Sequence, residues 1–200
     1  MNYFVTAIGT DCGKTLASSI ICQALGADYW KPIQAGFPRD AETVHNLSPQ
    51  TKIHPEAFVL NTPASPHAAA KIDNIEIQLS SIRRPETNND LVIEGAGGCL
   101  VPVNNTEFII DLCSLIPCKI ILVSNLYLGS INHTLLTVNL LKQRGYPVKG
   151  IIFNGVPNPE SEEIILKHSA YFPLLHIQQE KEINPSVVKR YSELLKNQWK

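Results

Sequence analysis

Residues 9 to 15 read Gly-Thr-Asp-Cys-Gly-Lys-Thr, a short turn that ends in a lysine and a hydroxyl. Backbone N–H groups of such a turn, together with the start of a following helix, present donors to phosphate oxygens. Lys14 would then place a point charge at the β- and γ-phosphates of a nucleotide, and the Thr15 hydroxyl would be a ligand for Mg²⁺. The spacing departs from G-x-x-x-x-G-K-[ST], because Ile8 stands where that pattern has its first glycine. Gly-Lys-Thr alone is common, so its surroundings carry the reading. Phe4, Val5 and Ile8 form a short apolar run before the turn. After it, Leu16, Ala17, Ile20, Ile21, Ala24 and Leu25 recur at helical spacing and stop at Gly26, a suitable C-cap. Strand, turn, helix is the order that a phosphate loop requires.

Other reactive side chains lie where further strands end. Leu91-Val92-Ile93 runs into Glu94 and then Gly95-Ala96-Gly97-Gly98. A carboxylate there could hold Mg²⁺ and its waters, and three glycines let backbone approach a ligand closely. A tight turn with a solvated glutamate is the plainer alternative. Lys31 lies in the weak strand 29–33; it would lie beside the γ-phosphate if that strand neighbours strand 3–8, or sit on the surface beside a proline turn. Asp40 is a second metal carboxylate or a helix N-cap. Asn154-Gly155 ends another apolar run; its amide suits the edge of a purine, and the dipeptide also suits a simple turn. Ser130 reads as the N-cap of a helix whose first N–H groups attract a carboxylate or phosphate. His133 reads as a helix-surface histidine.

The elements that must position these groups alternate along all 200 residues. Apolar runs at 3–8, 90–93, 119–123, 148–153 and 173–177 are short and rich in Val and Ile, as expected of parallel strands buried on both faces. Between them, Ile131, Leu135, Val138 and Leu141 share a helix face ending near Gly145, Ile164–Leu166 belong to a second helix, and Val187–Leu195 to a third. This predicts an α/β fold, a three-layer domain over 1–200 with a mostly parallel central sheet flanked by helices. Ligands in such folds bind outside the carboxyl ends of the strands. Segment 36–67, with five prolines, shows the weakest pattern. The formal net charge of −1 points to no nucleic-acid or membrane partner. No stretch reaches membrane-span length and no signal peptide precedes the first strand, so the expectation is cytoplasmic. Five cysteines without a C-x-x-C pair argue for reduced thiols. Cys12 sits where a helix N-terminus can lower a thiol pKa.

Taken together, the motifs resemble the dethiobiotin synthetases. The likeness runs in order through Phe4-Val5-Thr6, Gly13-Lys14-Thr15, Lys31-Pro32 to Gly36, Ser65-Pro66-His67, Glu94 to Gly98, Leu128-Gly129 to Asn132-His133, and Asn154. The resemblance implies an ATP- and Mg²⁺-dependent cyclo-ligase that makes dethiobiotin from 7,8-diaminononanoate and CO₂, acting as a homodimer. It implies that Lys14 and Lys31 flank the transferring phosphoryl group and that Thr15, Asp40 and Glu94 hold the metal. Thr10 and the backbone of Asp11, Cys12, Gly13, Lys14, Thr15 and Leu16 would bind phosphates, with Gly95, Ala96, Gly97, Asn154 and Gly155 also against the nucleotide. Thr10, Lys31, Ala35 and Gly98 would meet the diamine, and Ser130, Ile131 and Asn132 of a second subunit its carboxylate. Three positions depart from the family pattern: Ala7 replaces a loop glycine, Ala35 a serine, and His176-Ile177-Gln178-Gln179 a proline-containing loop against the base. A competing class is the partitioning-type or regulatory switch ATPase, whose extra early loop lysine is missing from residues 7–12. Another is the cobyrinate-type amidoligase, which adds a glutaminase domain.

Overall fold

The computed structural model describes residues 1–199. Its strands are β1 (Asn2–Ala7), β2 (Asp28–Trp30), β3 (Ile33–Ala35), β4 (Ile53–His54), β5 (Phe58–Leu60), β6 (Leu91–Gly98), β7 (Lys119–Asn125), β8 (Val148–Asn154) and β9 (Pro173–Ile177). Seven of them form one sheet in the order β4-β2-β6-β1-β7-β8-β9, with every pairing parallel. The helices are α1 (Lys14–Leu25), α2 (Asp40–Leu47), α3 (Pro66–Ile72), α4 (Leu112–Leu115), α5 (Ser130–Gln143), α6 (Pro159–Ser169) and α7 (Pro185–Gln198).

Side-chain alternation along the central strands separates the layers. Tyr3, Val5 and Ala7 point into one cluster with Ala17, Ile20 and Ile21 of α1, Val44 of α2, and Val188 and Leu195 of α7. Phe4 points the other way, into a cluster with Ala69 and Ala70 of α3, Leu112 of α4 and Leu141 of α5. A third cluster packs Val138 of α5 and Ile165 of α6 on Leu122, Ile151 and Phe153. Ile120 through Val123 are wholly buried, as a strand covered on both faces demands. Truncating such a residue, for example Ile121→Ala, costs about 2–5 kcal/mol.

One expectation changes, and the condition attached to Lys31 is not met. The stretch 29–33 is not one strand: Lys31-Pro32 interrupts it, because Pro32 has no N–H to donate. β2 therefore ends at Trp30, and β3 pairs with β5 in a separate two-stranded sheet. Moreover β2 lies beside β6, not beside β1. The chain builds β2 and β4 to one side, returns to place β6 between β2 and β1, then adds β7 to β9 on the far side. Such a reversal of strand order opens a crevice at the carboxyl ends of the strands. Segment 36–67 proves ordered, containing α2, β4 and β5 and the start of α3.

Candidate nucleotide and metal site

The turn after β1 ends at Gly13, the residue before α1, which has φ +90°. The backbone angle demands glycine, and a Cβ there would also press on the Asn154 side-chain amide, which would have to shift. No side chain caps α1, and its first internal bond runs from Ala17 N–H to Gly13 O at 2.9 Å. The N–H groups of Lys14, Thr15 and Leu16 thus lack carbonyl partners within the helix, at the positive end of its dipole. Asn154 Nδ2 donates to Cys12 O at 2.9 Å and Lys14 Nζ to Gly9 O at 3.2 Å, which fix the curve of the turn. Burial pulls the Lys14 ammonium below the usual lysine value; nearby Lys31 pushes the same way and Glu94 opposes it.

Two carboxylates converge on Thr15. Its Oγ1 lies 3.1 Å from Asp40 Oδ1 and 3.0 Å from Glu94 Oε1. A hydroxyl has a single proton to donate. One of these oxygen–oxygen contacts is therefore without a proton, and positive charge must relieve it. Lys31 supplies that charge: its Nζ is paired with Asp40 Oδ2 and lies 3.4 Å from Glu94 Oε1. Glu94 is only 1% exposed, and its second oxygen accepts from the Tyr29 hydroxyl at 3.0 Å. Burial, reinforced by the Glu94 charge, holds the Tyr29 phenol well above its ordinary value, so it remains a donor. A cleft of about 720 Å³ opens over these groups, with the phosphate turn on one side and Ala35, Phe37, Pro63, Pro66 and Val101 forming an apolar wall.

A family profile described as an AAA domain matches residues 1–187. The ATP-dependent dethiobiotin synthetase of Cytophaga hutchinsonii is 55% identical over 201 residues, covering 98% of each chain. That of Christiangramia forsetii is 50% identical over 196 residues, covering 96% of this chain and 94% of its own. The chain belongs to the dethiobiotin synthetase family. Solved structures add the likeness of fold. A ParA family ATPase from Chlorobium tepidum covers 98% of this chain and 92% of its own with TM-score 0.54 and 14% identity. The septum site-determining protein MinD with Mg-ADP from Pyrococcus horikoshii covers 96% and 95% with TM-score 0.55 and 13% identity.

For a dethiobiotin synthetase family member, the donor set fits magnesium. Mg²⁺ is usually held by one or two carboxylates, a hydroxyl, waters and substrate phosphates, not by an all-protein cage. Thr15, Asp40 and Glu94 meet that description. Among the described residues no cluster of three or more His, Cys, Asp or Glu side chains is gathered that could form such a cage.

The family positions fall into three groups. Thr10, Asp11, Gly13, Lys14, Thr15, Lys31, Ala35, Asp40, Glu94, Ala96 and Gly97 line the cleft together. Gly95 and Gly98 do not: Glu94 to Gly98 continue β6 instead of forming a turn, and these two glycines admit the neighbouring strand. A Cβ at Gly95 would meet Phe4 Cζ at 2.9 Å, and one at Gly98 the Ala7 carbonyl at 3.2 Å. Cys12 is buried, and burial raises its thiol pKa more than Lys14 lowers it, the reverse of the helix-terminus expectation. All five cysteines are free. Asn154 gives an amide N–H to the turn through Cys12 O and is not among the residues that line the cleft.

Ser130, Ile131 and Asn132 stand apart, after β7. Gly129, with φ +104°, precedes α5, so Ser130 is its first helical residue and not its N-cap. His133 is exposed and bonded to Tyr127 OH at 2.7 Å. Sequence reasoning missed Tyr29, Gln34, Phe37, Pro63 and Val101. Tyr29 carried one faint signal, a hydroxyl two residues before Lys31.

Proposed function

We propose that the chain closes the ureido ring of dethiobiotin from 7,8-diaminononanoate and CO₂, with ATP and Mg²⁺, in biotin biosynthesis. Family membership supports the substrates. The observation that carries the site is Thr15 Oγ1 within hydrogen-bond reach of both Asp40 and Glu94, with Lys31 bridging the same carboxylates.

In this reading one amine adds to CO₂ and loses a proton, giving a carbamate. A carbamate oxygen attacks the γ-phosphorus and ADP leaves, producing a carbamic-phosphoric anhydride. The second amine attacks the carbonyl carbon, phosphate leaves, and the ring closes. Thr10, Asp11, Cys12, Gly13 and the uncapped N–H groups of Lys14, Thr15 and Leu16 hold the phosphates. Lys14 and Lys31 offset the charge of the phosphoryl group in transit, and the cleft aligns the carbamate with it. Thr15, Asp40 and Glu94 would hold Mg²⁺, which when bound would neutralise phosphate charge. Asn154 Oδ1 and Gly155 face the base, with Ala96 and Gly97 beside the nucleotide. Gly95 and Gly98 serve here by keeping β6 close to β1, not by touching ligand.

The apolar wall suits the methylene chain of the diamine. Ala35 offers it no hydroxyl. The tail carboxylate would meet the start of α5 in a second copy, where the N–H groups of Ile131 and Asn132 have no side-chain cap. Ser130 at that start is buried, while Leu128 beside it is fully exposed, as a homodimer contact would use. We place the enzyme in the cytoplasm; among the described residues no helix is long and apolar enough to cross a membrane.

The test is ATP turnover by purified protein with mass detection of the product. Turnover is expected only when diamine, bicarbonate and Mg²⁺ are present together, with a cyclised product. Hydrolysis at the same rate without diamine would move the chain to the switch-ATPase class.

A further inference from the structure

The Glu94 carboxylate and the Asp40 backbone are each held by a neutral side chain. Tyr29 is wholly buried on β2, and its hydroxyl grips Glu94 Oε2. That leaves Oε1 as the oxygen turned toward Thr15 and Lys31. Gln34 holds Asp40 through its backbone and not through its carboxylate. Its Oε1 accepts the Asp40 backbone N–H at 3.2 Å, while its Nε2 donates to Gly36 O at 3.0 Å and lies 3.4 Å from Ala35 O. Arg39, the residue before α2, provides no side-chain cap, so Gln34 alone satisfies the N–H at the first position of that helix. Gln34 is 3% exposed and lies on the cleft wall.

We propose that Tyr29 and Gln34 are positioning residues that aim Glu94 and Asp40 at a common cation, and so set the metal affinity of the site. The proposal rests on the magnesium reading above. Without the Tyr29 hydroxyl, Glu94 Oε2 loses its hydrogen-bond donor and the carboxylate pivots toward Lys31. Without Gln34, the first turn of α2 loses its tie to β3 and Asp40 swings with it. Partners of this kind, one step behind the ligands, typically change metal affinity or activity by 10–100-fold.

The experiment uses Tyr29→Phe and Gln34→Met in the full chain, with ADP binding followed calorimetrically against Mg²⁺ and again in chelator. The Mg²⁺ concentration giving half of the metal-dependent gain in ADP affinity is expected to rise about 10-fold in each variant. Binding in chelator should stay within about 2-fold of the parent, a pattern that general loosening of the fold does not produce. Folded variants with the parental Mg²⁺ dependence overturn the proposal. So does an equal loss of binding with and without metal. Gln34→Met, on the cleft wall, decides the matter if Tyr29→Phe does not fold. Because ADP replaces the full reaction, a parent protein that failed to make dethiobiotin would sink the function above without touching this result.

Discussion

At its amino end β2 begins with Asp28, and just past its carboxyl end stands Lys31; the two are 1% and 6% exposed. Their surroundings are organised differently. The Asp28 carboxylate accepts from Thr87 Oγ1 at 2.7 Å, His54 Nε2 at 2.8 Å and Asn89 Nδ2 at 2.9 Å. Burial alone would raise its pKa, but these donors outweigh burial and hold the group below the usual aspartate value. Nothing at that end awaits a ligand. At the other end two carboxylates share one ammonium and a hydroxyl with one proton, while a second lysine turns back on its own loop. Buried charge whose hydrogen bonds are complete is architecture. Buried charge that is crowded and incompletely matched is the place where a charged ligand gains most, and here it coincides with an uncapped helix start.

Substitutions should separate the two ends. The largest effect is expected for Lys31→Ala, with turnover falling about 10³-fold while nucleotide affinity shifts by less than about 3-fold, because the lysine acts on the group in transit. Steady-state rates and calorimetric binding read the two quantities; unchanged turnover would return Lys31 to a structural role. Gly13→Ala comes next. The positive φ and the clash with Asn154 should distort the turn, weakening nucleotide binding about 10-fold and costing about 1–3 kcal/mol of stability. Denaturant unfolding and binding isotherms measured on the same sample test both parts.

Asp28→Asn is the smallest perturbation to activity and sharpens the contrast. Stability should drop by about 1–3 kcal/mol with turnover preserved below the melting transition. A turnover loss comparable to that of Lys31→Ala would erase the distinction between the ends. The pH dependence has a definite sign. A carboxylate whose folded pKa is depressed stabilises the protein above its unfolded pKa of about 3.9 and loses that contribution as pH falls through the folded value. The stability gap between parent and Asp28→Asn should therefore be full at neutral pH and narrow in acid below about pH 4, as denaturant midpoints across that range would show.

Much of this arrangement was legible in the residues. The runs at 119–123, 148–153 and 173–177 became β7, β8 and β9, because short, mostly apolar runs bounded by turn residues have few alternatives to a buried strand. Gly26 closes α1 with φ +62°, as its position after the apolar periodicity implied. The convergence of Thr15, Lys31, Asp40 and Glu94 was implied by the family resemblance, whereas the residues alone left Lys31 a surface alternative and Asp40 an N-cap one. Strand neighbours were not legible: short runs carry no label of their partners, so whether β2 lies beside β1 stayed open, and β6 proves to intervene. Segment 36–67 was obscured because α2, β4 and β5 are too short to establish a period. Gly97 lines the cleft while Gly95 and Gly98 face β1, a division the residues could not show, since close strand approach and close ligand approach demand the same missing Cβ.

The bond from Asn154 to Cys12 joins residues 142 positions apart in the chain. During synthesis the phosphate turn emerges from the ribosome first, but the amide that holds its shape emerges only when β8 is made. The nucleotide grip is thus finished late, after the sheet has grown past its centre. A nascent or truncated chain that stops before β8 should bind ATP poorly, however well its first strand and helix have formed.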